Sequence, residues 1–525
     1  MHENNANSET ISRQLNSLNL AKFSDPKTTK LRSSNNAYLS SLPEDQQSFL
    51  PPYSLVNILP AIQHFSRELL LVMYTSETDE FIVLLPYDQQ SAEVPSCTLG
   101  CSRIENIMTA VLYAFRTKFS DRFQPQQTQQ PVQIPEGEEN KKNNDLLFLV
   151  STADSPHVAR WCVSDPDHCG SINFAPILSF GSGFQDESIL PSLITMPPPP
   201  MMHLRCMNEW QLHGEVCEFL LPKNTEHSRG LVFGETIGLN YDDLIPQLIW
   251  RGTDFPFLNL LHQELKPPQY ELDVLPKLES YGQTTEGVIH ALKDIEGILR
   301  PRWKAVLITA EAELEASKLG SSIGLPWANM KFSAFPSHHE KDEDMAHNGF
   351  YEHWVELGIP AIGDEMSLAD LAKYKYHIDI GGGGGTTWTG TIQKLAMPGL
   401  LFHHETPAKD YFYEHIKPWV HYVPVKEDLS DLKEKVQWAE LNPRKARQIS
   451  KAGARFAKEW GSPEGLDAMY QRHLLRPLAM VMDAYQQPVG APVLSLLELE
   501  GYNGVGFKQV MRCTGNNVDD CKLLP

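Results

Sequence analysis

Positive charge is scarce in this chain. Its 525 residues carry 45 Lys and Arg against 66 Asp and Glu, a formal net charge of −21. Nucleic acid and an anionic membrane surface would both repel such a molecule, so neither is an expected partner. Long apolar runs are also missing. None reaches the roughly 18–20 residues that span a bilayer, and Leu69-Leu70-Leu71-Val72-Met73-Tyr74 is the length of a buried strand. The stretch from Met1 to Asn36 is rich in Asn, Ser, Thr and Lys and holds no apolar core, so it does not read as a signal peptide. There is no Asn-x-Ser/Thr sequon and no internal repeat, and no metal-ligating Asp-x-Asp stands out.

What remains is an ordinary globular composition, 41% hydrophobic and 21% charged, long enough for two or three domains with substantial cores. The eight cysteines fall into close couples: Cys97/Cys101, Cys162/Cys169, Cys206/Cys217 and Cys513/Cys521. Local couples suit short-loop disulfides of a secretory-pathway enzyme, whereas the missing sequon favours a protein that never meets the glycosylation machinery. Compartment therefore stays open between the two.

Residues 1–45 read as a disordered polar tail. Over 46–230, short apolar runs (68–74, 81–85, 146–151, 175–180) alternate with a helical pattern over 104–117, and 124–144 reads as an exposed insertion. Pro197–Pro200 closes this block as a stiff segment. A second α/β block spans 231–428, helices follow over 429–485, and 486–525 reads as a tail. In the helix begun by Asn442-Pro443, Ala446, Ile449, Gly453, Phe456 and Trp460 form a stripe for packing. Alternation of strand and helix in two successive halves argues for two α/β sheets facing one cleft.

The densest signal lies between Lys373 and Asp431. Tyr374 to Ile380 reads as a strand, Gly381 to Gly385 as a turn, and Thr386 onward as a helix start. Glycines admit close approach of a ligand, and a helix N-terminus offers free N–H groups to phosphate; a flexible surface loop is the bland alternative. No Lys-Ser/Thr follows the run, which excludes a P-loop, and the run stands too late for a first dinucleotide-binding unit. Leu400-Leu401-Phe402 reads as a further strand. His338-His339-Glu340 and His403-His404-Glu405 are expected as solvated loop residues, since adjacent histidines point apart and would not share an ion.

Pro418-Trp419-Val420-His421-Tyr422-Val423-Pro424-Val425, followed by Asp428-Leu429-Ser430-Asp431-Leu432, resembles the signature of glycosyltransferase family 90, the capsule-associated and protein O-glucosyltransferase (Rumi-like) family. Leu248 to Thr253 is similar to its aromatic-Arg-Gly-Ser/Thr element, Phe148 to Pro156 to its strand ending in Asp-x-Pro, and Ala175 to Phe180 to its Pro-Val-Phe-Ser-Phe strand. The resemblance covers about 145 to 480. It implies an α/β GT-B fold: an acceptor-side Rossmann-like half over 46–230, a donor half over 231–428 and bridging helices over 429–485. It also implies a secretory-pathway enzyme that moves glucose or xylose, with inversion and without a metal or cofactor, from a UDP-sugar to a hydroxyl of a protein or glycan.

Such a transfer needs a base for the acceptor proton and positive groups for the departing diphosphate. Carried over from the family, the base falls at Asp186 or Glu187, depending on one gap; both acids capping a helix start before Ser188 is the structural alternative. The implied donor-binding set is Trp250, Arg251, Gly252, Thr253, Gly383, Gly384, Gly385, Thr386, Thr387, Trp388, Thr389, Gly390, Thr391 and Lys394, with His403 and His404 nearby. Arg251 is expected at the end of a strand with its guanidinium on the diphosphate, or else paired with Asp242 or Asp243. Two departures stand out. Thr391 occupies the place of the family's phosphate-binding Arg, and Asp254-Phe255-Pro256-Phe257 stands where further Arg is common. Arg302 or Lys331 then compensates, or the donor differs, or the chain is a catalytically impaired binding module.

Overall fold

The computed structural model describes residues 50–64, 69–88, parts of 103–119, 145–153, 162, 165–198, 231–258, 261–319, 325–333, 354–487, 505–514 and 521–523. The polar tail, the 124–144 insertion, His338-His339-Glu340, Pro199, Pro200 and the couples Cys97/Cys101 and Cys206/Cys217 lie outside the described residues. Two compact units divide the chain: Met1–Asn208 together with Asp467–Pro525, and Glu209–Leu466.

Strands are numbered along the chain. The first unit holds β1 (Leu69–Thr75), β2 (Glu80–Asp88), β3 (Leu146–Ser151), β4 (Ile177–Ser179), β5 (Gly183–Phe184) and β6 (Leu193–Thr195). The second holds β7 (Ile245–Gly252), β8 (Ala328–Phe332), β9 (Tyr374–Asp379), β10 (Leu400–His404), β11 (Ala408–Lys409) and β12 (Val423–Val425). The first unit resumes with β13 (Val505–Thr514) and β14 (Cys521–Leu523).

The first unit is built on a seven-stranded sheet of order β14-β13-β2-β1-β3-β4-β6. From β14 to β3 every pairing is antiparallel, and only β3-β4-β6 run parallel. This mixed sheet departs from the parallel Rossmann-like half expected from the alternation of elements. The cause is local: Thr75 to Glu80 closes a hairpin, and a hairpin forces its strands antiparallel. Residues 505–514 and 521–523, read from the sequence as tail, pair along β2 and extend this sheet. In β1, all of Leu69 to Tyr74 is buried, which marks it as a central strand covered on both faces. Phe115 supplies part of that cover, stacking on Phe81 at 4.9 Å and standing edge-on to Phe148 at 6.2 Å.

The second unit is a five-stranded, wholly parallel sheet of order β12-β10-β9-β7-β8. By order of appearance its pattern is 2-1-3-4-5, a doubly wound arrangement whose direction of travel reverses between its first and third strands, β7 and β9. Ligands of such sheets bind at the carboxyl ends of the strands flanking that reversal. One face carries the main core: Leu248, Trp250, Met330, Phe332, Tyr376, Ile378, Leu400 and Phe402 pack against Trp303, Val306 and Leu307 of the Pro301–Lys318 helix. The Pro443–Trp460 helix buries Ala446, Ile449 and Gly453, while Phe456 and Trp460 are half-buried and stack on each other at 5.4 Å. A Cβ at Gly453 would lie 2.7 Å from His421 O and 2.9 Å from Leu395 Cδ2, so glycine there sets how closely the helix can pack.

Candidate active site

The carboxyl ends of β7 and β9 are joined by one side chain. Arg302, buried in the first turn of the Pro301–Lys318 helix, donates from Nη1 to Thr253 O at 2.6 Å and from Nη2 to Ile380 O at 3.0 Å. Its guanidinium lies 5.5 Å from the Trp250 ring centroid and 5.9 Å from that of Phe255. Burial pulls its pKa down to about 10, opposed by the charge of Asp254. Asp254 is itself buried, accepts from Trp303 Nε1 at 3.0 Å and pairs with Arg300 at 3.6 Å; burial pushes its carboxyl upward against those partners. The acid that stands where the family favours Arg is thus part of the core beneath the strand ends.

Above Arg302 runs the glycine turn. Gly385 N–H donates to Gly382 O at 2.9 Å and Gly382 N–H to Thr386 O at 3.3 Å, closing a tight loop with Gly385 at φ 75°. A Cβ at Gly382 would come within 2.8 Å of Arg302 Nη2, and one at Gly381 would collide with Gly385 O. At Gly383 the nearest atom would be Pro256 O at 3.6 Å, so there the backbone is open to a ligand. Trp388 follows at φ 53°, a strained setting for a bulky residue, and the helix Thr389–Ala396 begins directly after it.

Behind the turn lies a buried polar network. The Asp379 carboxylate, at the end of β9, accepts from Thr391 Oγ1 at 2.6 Å, His403 Nδ1 at 2.7 Å and His404 N–H at 3.1 Å. Burial alone would raise its pKa; the His403 charge, with the hydrogen bonds from His403 and Thr391, outweighs burial and holds it low. By the same coupling His403 stays above its ordinary value despite burial. His404 points elsewhere: Nδ1 accepts from Gly381 N–H at 3.1 Å and Nε2 donates to Glu427 O at 2.7 Å. Burial pushes its pKa down to about 4, so it is neutral. Asp410 Oδ1 accepts from Thr386 Oγ1 at 3.1 Å while Oδ2 is buried without a partner, and burial pushes this carboxyl up to about 7.

Several expectations change here. His403 and His404 are not solvated loop residues but buried in β10, their alternate directions fixed by the strand pleat. Thr391 is fully buried, a hydrogen-bond partner of Asp379 and Thr387. Arg251 donates to Asn329 O (2.9 Å) and Trp250 O (2.8 Å) from Nη1 and to Asp364 O (3.2 Å) from Nε. Asn329 lies on β8 and Asp364 in the segment beyond it, whereas the glycine turn follows β9 on the other side of β7. Arg251 is thus turned from the turn, and Asp242 pairs with Arg447 instead. Lys331 is paired with Glu313 at 2.7 Å. Trp250, Gly252, Thr253 and Gly383 to Thr391 do converge on the strand ends, with half-buried Lys394 on the same helix; its Nζ lies 3.5 Å from Gly390 O.

Asp186 and Glu187 lie in an exposed turn of the first unit, not at a helix start. Asp186 Oδ1 accepts from Ser188 N–H at 3.0 Å and Ser188 Oγ at 2.6 Å, and these bonds hold its carboxyl low, hence ionised at neutral pH. The signature segment is chiefly structural: Trp419, at φ 62°, meets Trp438 edge-on at 4.8 Å, and Lys435 sits 4.6 Å over its ring. Asp379, Asp410 and Arg302's place beneath the turn were not legible, although an acid ending an apolar strand just before a glycine run is a usable signal.

Among known proteins, protein O-glucosyltransferase 2 of Danio rerio is 36% identical over 115 residues, 21% of this chain and 21% of that protein. Protein O-glucosyltransferase 3 of Homo sapiens is 34% identical over 131 residues, 24% of each chain. Protein O-glucosyltransferase 1 of Homo sapiens is 37% identical over 103 residues, 19% of this chain and 25% of that one. The alignments therefore span a quarter or less of these relatives. Among solved structures, Anabaena Alr3699/HepE in complex with UDP and glucose aligns at TM-score 0.26 and 9% identity, covering 59% of this chain and 66% of that one. A Rickettsia africae glycosyltransferase aligns at 0.24 and 12%, covering 61% and 80%. Scores of this size establish no shared arrangement. Residues 337–486, which hold the glycine turn, the Asp379 network and the Pro418–Asp431 signature, match the family described as Glycosyl transferase family 90.

Proposed function

We propose that the protein is a glycosyltransferase that moves glucose or xylose from a UDP-sugar to a hydroxyl of a protein or glycan, with inversion and without a metal. The observation that carries this reading is the glycine turn, within the residues that match family 90, at the reversal point of a parallel sheet, open at Gly383 and backed by the buried charge of Arg302. In this reading the two units form the halves of a GT-B enzyme, and the second unit binds the donor. The acceptor hydroxyl gives its proton to the ionised Asp186 carboxylate as its oxygen bonds to the sugar C1. The bond from C1 to the diphosphate oxygen breaks on the opposite face, and UDP departs without protonation. Glu187 is the neighbouring candidate for the same role.

The test is UDP release from UDP-glucose and UDP-xylose, with and without chelator, on the full chain. Release that survives chelation and disappears in Asp186→Asn supports the reading; no binding of any nucleotide sugar sinks it. Burial of Thr391 against Asp379 favours one second reading, a family relative that binds nucleotide or glycan without turnover. Tight UDP binding with no release from any UDP-sugar is its mark.

A further inference from the structure

The Pro443–Trp460 helix concentrates positive charge in a chain that has little of it. Arg444, Lys445, Arg447, Lys451, Arg455 and Lys458 stand on it against a single acid, Glu459, a net +5 in a protein of −21. Ala446, Ile449, Ser450, Gly453 and Ala457 form its buried side. Arg444, Gln448, Lys451 and Arg455 follow the spacing i, i+4, i+7, i+11 on the opposite face, and all four are exposed. Arg447 pairs with Asp242 and Lys458 with Glu235. Arg444, Lys445, Lys451 and Arg455 make no ion pair among the described residues. The stability of the helix does not call for this pattern. Arg444 and Lys445 occupy the first turn, where the backbone dipole favours acids, and no acid stands there. Asn442, at the cap, makes no side-chain bond to the free N–H groups. Lys451 and Arg455 are four residues apart, a repulsive spacing for like charges. At the same end of the helix, Leu441 closes the preceding Leu432–Leu441 helix and is 82% exposed.

We propose that this helix face docks an acidic polypeptide segment, with Asp or Glu side chains along the Arg444–Arg455 stripe and an apolar side chain against Leu441. At 1.5 Å per residue the stripe is roughly 16 Å long, which an extended segment of about five residues covers. Arg444 and Arg455 can each take a carboxylate bidentately through the planar guanidinium. Nucleic acid and an anionic membrane fit less well. Each is a broad negative surface, and it would meet the rest of this chain, which carries −26 once the +5 of the helix is set apart. A flexible acidic segment touches the stripe alone, and charge farther than roughly 10 Å away is screened at 0.1 M salt. The surface is independent of the donor reading, since none of its residues belongs to the glycine turn or the strand ends.

The experiment is fluorescence anisotropy of a labelled, leucine-capped octaglutamate peptide with the full chain, at low and high salt. The stripe variant combines Arg444→Gln, Lys445→Gln, Lys451→Gln and Arg455→Gln. A control combines Lys277→Gln, Lys293→Gln, Lys318→Gln and Lys433→Gln, which removes the same charge from cations that are paired in the same unit. Wild type is expected to bind the peptide at low salt and release it at high salt. The stripe variant should bind on the order of tenfold or more weakly, the scale of charge-assisted contacts, while the control stays near wild type. The melting temperature of the stripe variant should hold or rise, because its substitutions relieve repulsion and the unfavourable first turn. No peptide binding by wild type at low salt overturns the proposal, as do equal losses in the two variants. Tighter binding of phosphatidylserine–phosphatidylcholine vesicles or duplex DNA than of the peptide gives the face to an anionic surface and overturns it too. Salt-sensitive self-association in sedimentation, lost in the stripe variant, gives the face to a second copy of the chain with the same result.

Discussion

Thr391 donates a 2.6 Å hydrogen bond to the buried carboxylate of Asp379, one turn after the strained Trp388. That bond explains how a threonine fits a position where a charged side chain was expected. The pocket around it is closed on one side by His403 and on another by Thr387. Thr391→Arg should therefore destabilise rather than restore phosphate binding, by about 1–3 kcal/mol, the usual cost of overpacking a filled core. Thr391→Val should cost a similar amount by stranding part of the Asp379 carboxylate. Denaturant melts of both variants check this, and a stable Thr391→Arg with tighter UDP binding refutes it.

Asp410 makes stability depend on pH. Burial pushes its folded pKa up to about 7, above the ordinary carboxylate value, so the folded state holds a proton that the unfolded chain releases. Stability from this group is full below the unfolded pKa and is lost as pH rises from about 4 to 7, then levels off. Asp410→Asn keeps the shape and the bond from Thr386 but cannot titrate. Melting temperatures of the two proteins from pH 4.5 to 8 should show wild type losing ground to the variant with rising pH; a constant gap rules the titration out.

How far the sequence carried the reading depends on the kind of signal. The strand, glycine turn and helix start over 374–396 were legible because each residue type has a local reason to be there. β10 was only partly legible: its histidines looked like loop residues because their burial comes from Asp379 and Glu427, which are distant in sequence. β13 alternates apolar and polar residues, yet a place near the chain end disguised it. Arg302 is the second residue of a helix, and only the packing of that helix against β7 and β9 sets it under Gly382. Local chemistry is printed in the sequence; tertiary partners are not.

Cys162–Cys169 and Cys513–Cys521 are both bonded, each closing a short loop; the sequence separations are 7 and 8. Loops of that size stabilise by about 2–3 kcal/mol each in the chain-entropy account. Linked peptides should appear in a non-reducing digest, and reduction should lower the melting temperature. Cys513→Ser should act mainly on the first unit, since it frees the β13–β14 hairpin. Full thiol titration of the unfolded, unreduced protein would contradict both bonds.

Asp186→Asn should abolish sugar transfer, losing about 10²–10⁴-fold, while leaving UDP affinity and the melting curve unchanged. The residue is exposed and, among the described residues, its side-chain bonds go to Ser188, so little of the fold rests on it. Ser188→Ala should raise the carboxyl toward its ordinary value and shift the acid limb of the rate profile upward in pH, the sign required when stabilising donors are removed. Loss of activity in Glu187→Gln with none in Asp186→Asn would transfer the role to the neighbouring acid.

Arg251 supplies the sharpest contrast between sequence and fold. Its signature context, aromatic-Arg-Gly, pointed to diphosphate, but its N–H groups are committed to the carbonyls of Trp250, Asn329 and Asp364, tying β7 to β8 and to the segment beyond it. Burial holds its pKa down, against the opposing charges of Tyr374 and Asp364. Gly363 lies against the guanidinium, with room for no Cβ: one would come within 2.7 Å of Nε. Removing the side chain leaves three carbonyls short of a donor, and a hydrogen bond to a charged group is worth about 1.5–3 kcal/mol. Arg251→Ala should therefore lower stability by at least about that amount while UDP affinity per folded molecule changes little. Lysine should recover only a fraction, because one ammonium cannot reproduce the planar fork that reaches all three acceptors. Thermal melts paired with calorimetry on the folded fraction separate the outcomes. A normal melt with UDP binding lost would return Arg251 to the diphosphate and remove it from the strand tie.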